Sequence, residues 1–160
     1  MTYYTWLDTP AGTLLLMGDG IVITGMHWKV FKRAPAVLPH WIEDAKPFDT
    51  AITQLQEYFA GTRTEFDFPY SFEGTDFQKQ VWRRLAAIPY GKKTSYQAIA
   101  EAVGRPRAVR AVGTAVGSNP LSIVVPCHRV LTSVSTLGGY AGGLDGKRLL
   151  LQTEGIAFVG

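Results

Sequence analysis

The chain has only one cysteine, Cys127, among its 160 residues, and this scarcity excludes several classes of protein. One thiol cannot form an intramolecular disulfide, so the chain is not a disulfide-stabilised secreted domain. It also cannot supply the two or more thiolates of a typical structural zinc site, and we predict no metal site. A chain of this length can bury a core without either cross-link.

Long apolar runs are also absent. No uninterrupted run approaches the roughly 18 apolar residues that a membrane span needs. The N-terminal residues 1–10 show neither the basic nor the apolar segment of a secretory signal. Hydrophobic residues nevertheless make up 46% of the chain, which is too many for a disordered protein. We therefore expect a soluble, cytoplasmic globular protein without membrane association.

Charge is distributed unevenly along the chain. Residues 1–72 carry five basic and eight acidic residues, a balance of −3, whereas residues 73–160 carry eleven basic and five acidic ones, a balance of +6. A basic half joined to an acidic half indicates that one end meets a polyanion such as nucleic acid. The alternative interpretation is an unevenly charged surface without such a partner.

The first half has the pattern of a strand meander followed by one helix. Apolar runs separated by turn residues predict three antiparallel strands. These are Thr2–Leu7, Thr13–Met17 and Ile21–Trp28. Residues 29–47 contain three prolines and predict a loop. Apolar residues at helical spacing then predict a helix that is capped by Asp49 or Thr50 and runs through Phe59.

The second half has the pattern of a helix-turn-helix. Thr75–Gln78 matches a capping box at the start of a first helix. Thr94 or Ser95 can cap a short second helix, which a Gly-Arg-Pro break at 104–106 ends. A further helix is predicted from about Arg107 to Gly117. Two helices joined by a short glycine-containing turn are typical of a DNA-binding helix-turn-helix.

The last of these helices consists almost entirely of small side chains, and Arg110 is its main candidate for contact with bases. Small residues let the backbone approach a partner closely. A major-groove reader would carry several longer polar side chains, so the composition favours backbone and minor-groove contact. Tight packing inside a core is the alternative interpretation.

The most informative stretch surrounds the cysteine. Ile123–Val125 is predicted to be a short buried strand that Pro126 ends. Cys127, His128 and Arg129 follow directly. The positive charge of Arg129 would favour the reactive thiolate, and the imidazole can serve as a base near neutral pH.

Side-chain direction limits how this cysteine and histidine can cooperate. Adjacent residues on an extended chain point to opposite sides, so Cys127 and His128 need a sharp bend or a bridging water molecule. Glu154, at the end of a predicted helix Lys147–Thr153, is a suitable carboxylate to hold the imidazole. A structural histidine is an equally acceptable interpretation of His128 at this point, whereas the neighbouring charge, the imidazole and the strand end argue against an inert buried cysteine.

The stretch Pro126–Val130 resembles the active-site signature of the O6-alkylguanine-DNA alkyltransferases, also called methylated-DNA–protein-cysteine methyltransferases. The similarity continues through residues 73–155 in the order and spacing of that family. The matching segments are Ile88–Gly91, Ser95–Tyr96, Ala108–Gly113, Gly117–Pro120, Gly139–Leu144 and Glu154–Gly155. The similarity is weaker over residues 1–72, where Thr9–Gly12 and Tyr58–Gly61 are similar to the N-terminal lobe of the family.

The resemblance implies an α+β fold in two parts. Residues 1–72 would form a small, structural, strand-rich α/β lobe that is ribonuclease-H-like. Residues 73–160 would form a mainly helical DNA-binding and alkyltransferase domain with a winged-helix-like helix-turn-helix.

It also implies a role for each matching residue. Cys127 would take the alkyl group from O6 of guanine, His128 would deprotonate it through a water molecule, and Glu154 would orient the imidazole. Tyr96 would donate its hydroxyl to the leaving base, and Asn119 would brace the turn before the active-site strand. The product is a thioether, so each molecule would act once, and no cofactor is implied.

The implied partner is double-stranded DNA carrying O6-alkylguanine, or O4-alkylthymine, bound through its minor groove by a monomer, singly or cooperatively. Arg110 would fill the gap left by a flipped nucleotide. The other implied DNA contacts are Tyr96, Ala111, Gly113, Thr94, Ser95 and Arg107. The implied base pocket is lined by the Val130 main chain, Tyr140, Ala141 and Pro126.

The sequence departs from this pattern in two places. Residues 131–137 lack the glycine that usually makes a turn in one wall of the pocket, so we expect an effect on the size of alkyl group admitted. Gly146 stands at an expected helix start where a bulkier residue is common.

Two other functions would fit parts of the pattern. A protein that recognises alkylated bases without repairing them would lack the cysteine, so Cys127 argues against it. A thiol hydrolase would need a direct Cys–His pair and an oxyanion hole. A redox protein would usually need a resolving cysteine.

Overall fold

An antiparallel meander forms the start of the chain. In the computed structural model, which describes residues 1–160, its strands are Tyr3–Thr9 (β1), Gly12–Gly18 (β2) and Ile23–Trp28 (β3). This confirms the three predicted strands. A two-residue strand, Ile42–Glu43 (β4), pairs in parallel with β1 inside the segment predicted to be a loop, and it is too short to leave a periodic pattern. The sheet order is β3-β2-β1-β4.

The first helix, Asp49–Phe59 (α1), has the predicted extent but not the predicted cap. A short 3-10 helix, Lys46–Phe48, leads directly into it, so Phe48 occupies the N-cap position and no side chain caps the helix. The prediction of a cap by Asp49 or Thr50 is therefore wrong. The Pro47 within that 3-10 turn has a fixed φ angle that suits the start of a helix.

The second half contains the helix-turn-helix. The first helix of this half, Asp76–Ala86 (α2), precedes the motif. It begins with the predicted capping box, in which Thr75 Oγ1 accepts from the Gln78 amide at 3.1 Å. The two helices of the motif are Tyr96–Ala102 (α3), capped by Ser95, and Val109–Gly117 (α4). Two short parallel strands, Thr94–Ser95 (β5) and Val130–Leu131 (β6), lie beside them, and Leu144–Thr153 (α5) follows.

The predicted strand Ile123–Val125 is wrong. The segment is a turn in which Ile123 adopts a φ of +74° and the Val125 amide donates to the Leu121 carbonyl at 2.9 Å. Apolar runs of this length do not separate a buried strand from a buried turn by periodicity alone. A 3-10 helix, Cys127–Arg129, comes next.

One hydrophobic core joins the two halves. A single cluster of 25 buried residues includes Leu14 and Met26 of the sheet, Leu55 of α1, and Leu85 and Val112 of the helical half. Gly146 lies inside α5 rather than at its start, because the helix begins earlier than expected. A Cβ at this position would lie 3.0 Å from the Ala11 carbonyl oxygen, so the glycine permits close approach of the two halves. No helix is long and apolar enough to span a membrane.

Candidate active site around the single cysteine

Of the two arrangements that the sequence allowed at the cysteine, a bridging water molecule or a sharp bend, the bend is present. Cys127 opens the 3-10 helix, so the chain turns sharply after Pro126 instead of continuing as a strand. The thiol is almost fully buried and lies in the wall of a cavity of about 1120 Å³. No hydrogen bond joins Cys127 directly to His128.

His128 is held by Glu154. Its Nε2 atom lies 2.5 Å from Glu154 Oε2, and both side chains are fully buried. Burial lowers the pKa of His128, although the neighbouring carboxylate opposes this shift. The imidazole is therefore neutral near pH 7, with its hydrogen on Nε2 and a lone pair on Nδ1. That Nδ1 atom is buried and has no hydrogen-bond partner.

Glu154 accepts hydrogen bonds from both halves of the chain. Arg129 donates to its two oxygens at 2.7 and 3.1 Å, and Tyr58 of α1 donates its hydroxyl at 2.6 Å. The Gly91 amide donates at 3.1 Å. Burial alone would raise the pKa of Glu154, but the contacts with His128, Arg129 and Tyr58 outweigh it and lower the pKa to about 2. The carboxylate thus stays ionised under the imidazole.

The sequence suggests Arg129 as the cation that stabilises the Cys127 thiolate, but in the structure the positive charge that lowers the pKa of Cys127 is that of Lys147. Arg129 is bound to Glu154 and to the Ile88 carbonyl at 2.6 Å, so its charge is neutralised there. Lys147 of α5 is instead fully buried, and its Nζ donates to the carbonyls of Val130 at 2.8 Å, Leu137, and Gly139 at 3.2 Å. Burial lowers the pKa of Lys147 to about 8, which still leaves it mostly protonated near pH 7.

The thiol experiences opposing influences. The largest influence is burial, which raises the pKa of Cys127 above its ordinary value. The Asn119 amide, the positive charge of Lys147 and the Tyr140 hydroxyl act in the opposite direction. A base is therefore needed to generate the thiolate at neutral pH.

Asn119 and Tyr96 both lie at the cavity. Asn119 Nδ2 donates to the Val125 carbonyl at 2.7 Å, and its Oδ1 accepts from the Leu121 amide at 3.0 Å, so it spans the turn before the cysteine. Tyr96 is the first residue of α3, and its hydroxyl packs against Gly138, where a Cβ would lie only 2.9 Å away. Burial and the nearby Cys127 raise the pKa of Tyr96, which keeps its hydroxyl proton in place.

The predicted DNA contacts divide into two groups. Arg110, Gly113 and Tyr96 line the cavity, and Arg110 is exposed with no salt bridge. The others do not line it, namely Thr94, Ser95, Arg107 and Ala111. Arg107 precedes α4, which begins at Val109 rather than Arg107, and the Ser95 hydroxyl accepts from the Ala98 amide at 3.0 Å as the cap of α3.

The predicted pocket residues also divide. Tyr140 and Ala141 line the cavity that contains Cys127. Pro126 faces a separate cavity between the two halves, and the Val130 carbonyl accepts a hydrogen bond from Lys147 Nζ. These two residues therefore do not line the cavity that contains Cys127.

The loop that lacks glycine still turns. Ser135 adopts a φ of +63°, a left-handed conformation that glycine adopts without strain. Thr132 Oγ1 accepts from the Thr136 amide at 3.0 Å, and the Ser135 amide donates to the Thr132 carbonyl at 2.9 Å. Local hydrogen bonds thus hold a turn for which the sequence contains no glycine.

Sequence reasoning missed Tyr58 and Lys147. Tyr58 lies in α1, 96 positions before its partner Glu154, and no local pattern connects them. Lys147 stands at the predicted start of the last helix, but α5 begins at Leu144, so the sequence gives no sign that this lysine is buried. No group of three or more His, Cys, Asp or Glu side chains is arranged to hold a metal ion.

Comparison with known proteins gives two matching protein-family models. The ribonuclease-like domain of 6-O-methylguanine DNA methyltransferase matches residues 2–72. The DNA binding domain of 6-O-methylguanine DNA methyltransferase matches residues 76–156.

Individual relatives match over nearly the whole chain. The methylated-DNA–protein-cysteine methyltransferase of Mycobacterium tuberculosis is 46% identical over 96% of this chain and 93% of its own length. The protein of the same name from Methanosarcina barkeri is 44% identical, over 95% and 96% respectively. A crystal structure of Mycobacterium tuberculosis OGT in complex with DNA superposes with a TM-score of 0.89 at 45% identity, covering 95% of this chain and 92% of the other.

Proposed function

The chain belongs to the 6-O-methylguanine DNA methyltransferase family, and we propose that it repairs O6-alkylguanine in DNA by transferring the alkyl group to its own Cys127. It is a methylated-DNA–protein-cysteine S-methyltransferase, and DNA is its partner. Residues 73–160 carry the DNA-binding and transfer functions, and residues 1–72 form the supporting lobe. The protein acts as a monomer.

One observation carries this proposal. The only cysteine of the chain lies in a cavity wall, directly before a buried histidine whose Nε2 is 2.5 Å from a carboxylate. A neutral imidazole with one nitrogen held by a carboxylate and the other free is suited to take a proton from a nucleophile.

The proposed transfer is a displacement at the alkyl carbon. His128 Nδ1 takes the thiol proton through a water molecule, and the Cys127 sulfur forms a bond to the alkyl carbon. The bond between that carbon and O6 breaks, and its electron pair leaves with the guanine. The Tyr96 hydroxyl donates a hydrogen bond to the departing base and keeps its proton, which stabilises the charge that develops there. The guanine then takes its proton from His128 through the water molecule, so no net charge is left behind. The thioether product is stable, so each molecule reacts once.

The alkyl carbon of O6-alkylguanine is inaccessible inside the base stack, so the nucleotide must leave the duplex first. The helix-turn-helix supports this step. Its α4 has small residues along the cavity and one exposed cation, Arg110, which we assign to the minor groove and to the gap left by the flipped nucleotide. Tyr140 and Ala141 then contact the extruded base.

The stoichiometry tests this mechanism. With an excess of duplex containing O6-methylguanine, we expect the number of restored guanines to reach a plateau at about one per protein molecule. Cys127→Ala is expected to bind the same duplex and restore none. Continued turnover beyond the plateau, or restoration by Cys127→Ala, would refute transfer to this cysteine. Binding without restoration by the protein that retains Cys127 would indicate a lesion-recognition protein.

A further inference from the structure

The segment that follows β3 carries two cations into the same cavity as α4. Val30, Phe31, Lys32 and Arg33 line that cavity together with Arg110. None of the residues lining it is acidic. We propose that Lys32 and Arg33 bind phosphates of the DNA strand that enters the cavity, so that the N-terminal lobe forms one side of the DNA-binding cleft. This inference rests on the proposed function.

The charge pattern of the lobe supports a dedicated surface. Residues 1–72 have an acidic balance, yet three of their five cations fall within 29–33. No acidic residue occurs between Asp19 and Glu43. A local concentration of positive charge within an otherwise acidic lobe is the electrostatic pattern of a phosphate contact.

The root of this segment is fixed against the pocket wall. Trp28 is almost fully buried, and its Nε1 donates to the Tyr140 hydroxyl at 3.1 Å. A Cβ at Gly142 would lie 2.9 Å from the Trp28 ring, so only glycine fits there without displacement. The Phe31 amide then donates to the Trp28 carbonyl at 3.0 Å and turns the chain at the rim of the cavity. The position of Lys32 and Arg33 is therefore set by contacts with the pocket itself.

The two cations are free to bind a ligand. Both side chains are exposed, and neither forms a salt bridge or a side-chain hydrogen bond. The Arg33 guanidinium lies 5.4 Å from the centre of the Phe31 ring, a cation–π contact that leaves its N–H donors available. Lys29 differs, because its Nζ lies 5.6 Å from the Trp6 ring and it does not line the cavity.

Arg110 of α4 lines the same cavity. It is also exposed and without an acidic partner, so the cavity presents three unpaired cations and no counter-charge. A single small anion would need fewer. A nucleic-acid strand carries a phosphate on each side of an extruded nucleotide, which accounts for cations contributed both by this segment and by α4.

The test is the salt dependence of DNA binding. Binding of a duplex containing O6-methylguanine is measured across a salt series in a Cys127→Ser background, which prevents transfer. We expect the double variant Lys32→Ala, Arg33→Ala to lower the slope of log Kd against log salt by about 2, because each phosphate contact contributes about 0.9. The matched control is Lys46→Ala, Arg63→Ala, which removes the same charge from the same lobe away from the cavity.

The outcomes are distinct. A lowered slope in the first variant only, with the slope retained in Lys32→Arg, Arg33→Lys and with an unchanged unfolding midpoint, supports the inference. An unchanged slope overturns it, because the two side chains then contact no phosphate. An equal decrease in both double variants also overturns it, since net charge alone would then account for the effect. If the protein without these substitutions shows no salt-dependent DNA binding, the proposed function fails and this inference fails with it.

Discussion

Lys147 is the residue whose environment is least expected from its type. A fully buried lysine usually has a carboxylate partner, but here the ammonium group is bound by three main-chain carbonyls. Two of them, from Leu137 and Gly139, belong to the chain leading to the pocket residue Tyr140. The Lys147 ammonium group therefore stabilises the wall of the pocket and also lowers the pKa of the Cys127 thiol.

Replacing Lys147 by Met is expected to affect stability and thiol reactivity together. The three carbonyls would lose their donor, which lowers the free energy of unfolding by about 1–3 kcal/mol. The pKa of Cys127 would rise further because the positive charge that lowers it is gone. Urea denaturation and the rate of iodoacetamide modification measure these effects, with the exposed Lys92→Met as control. Unchanged modification rates would contradict the electrostatic role.

Glu154 makes folding sensitive to acid. Its pKa is about 2 in the folded protein, below the ordinary value of 4.5, so between these values the unfolded chain binds more protons. The stabilisation is therefore complete above about pH 4.5 and is lost as the pH falls towards 2.

We expect Glu154→Gln to be about 3–5 kcal/mol less stable than the parent protein at pH 7, because Arg129 would be buried without its counter-charge. The difference in free energy of unfolding should narrow as the pH falls below about 4.5. Urea denaturation at a series of pH values measures it, with the exposed Asp145→Asn as control. A difference that stays constant with pH would argue against the proposed ionisation.

At the level of the elements, α1 reaches the Glu154 carboxylate from the other half of the chain. Tyr58 is fully buried, packs edge-on against Tyr90 and donates to the same Glu154 oxygen that His128 contacts. This hydrogen bond also lowers the pKa of Glu154. The helix thus positions a carboxylate that it does not itself contain.

Removal of one oxygen atom in Tyr58→Phe should therefore cost about 2 kcal/mol of stability, the usual contribution of a hydrogen bond to a charged group. The difference in free energy of unfolding from the parent protein should also narrow as the pH falls below about 4.5, whereas loss of packing alone would give a difference that does not change with pH. Tyr90→Phe is the matched control, because the Tyr90 hydroxyl donates to the Thr153 carbonyl at 3.2 Å and not to Glu154. Identical acid profiles for the two variants would contradict this positioning role.

The pocket loop is the element in which local strain is retained. Ser135 holds a φ of +63°, and its hydroxyl accepts from Lys93 Nζ at 3.1 Å. Glycine adopts this conformation at no steric cost, although it loses more chain entropy on folding.

Ser135→Gly should consequently stabilise the protein by up to about 1 kcal/mol, since relief of left-handed strain exceeds the entropic loss. Ser133→Gly is the control, because Ser133 lies in the same loop but has no positive φ. This substitution should lower the stability of the protein. Thermal unfolding of the two variants measures the difference. Destabilisation of both to the same degree would show that the Ser135 backbone is unstrained.

At the level of the whole molecule, local patterns predicted the elements and not their long-range contacts. The strands of the meander, the capping box at Thr75 and the helix-turn-helix were all predictable because turn residues, periodicity and caps act over a few positions. The turn at Ile123 was not, since a short apolar run gives no periodic signal.

The site was predictable to the same degree. Cys127, His128 and Glu154 were identified from sequence, and the structure brings the last two into contact. The contacts made by Tyr58 and Lys147 depend on how α1 and α5 pack against the cysteine segment. Side chains brought together by packing over such distances leave no mark in residue spacing.

The most direct test of the account is the mass of the intact protein after incubation with a duplex containing O6-methylguanine. We predict one species, heavier by the mass of one methyl group replacing one hydrogen, with the added group located on the peptide that contains Cys127. The Cys127→Ala variant should keep its original mass. An unchanged mass despite tight binding of the duplex, or a methyl group on any other residue, would contradict transfer to Cys127.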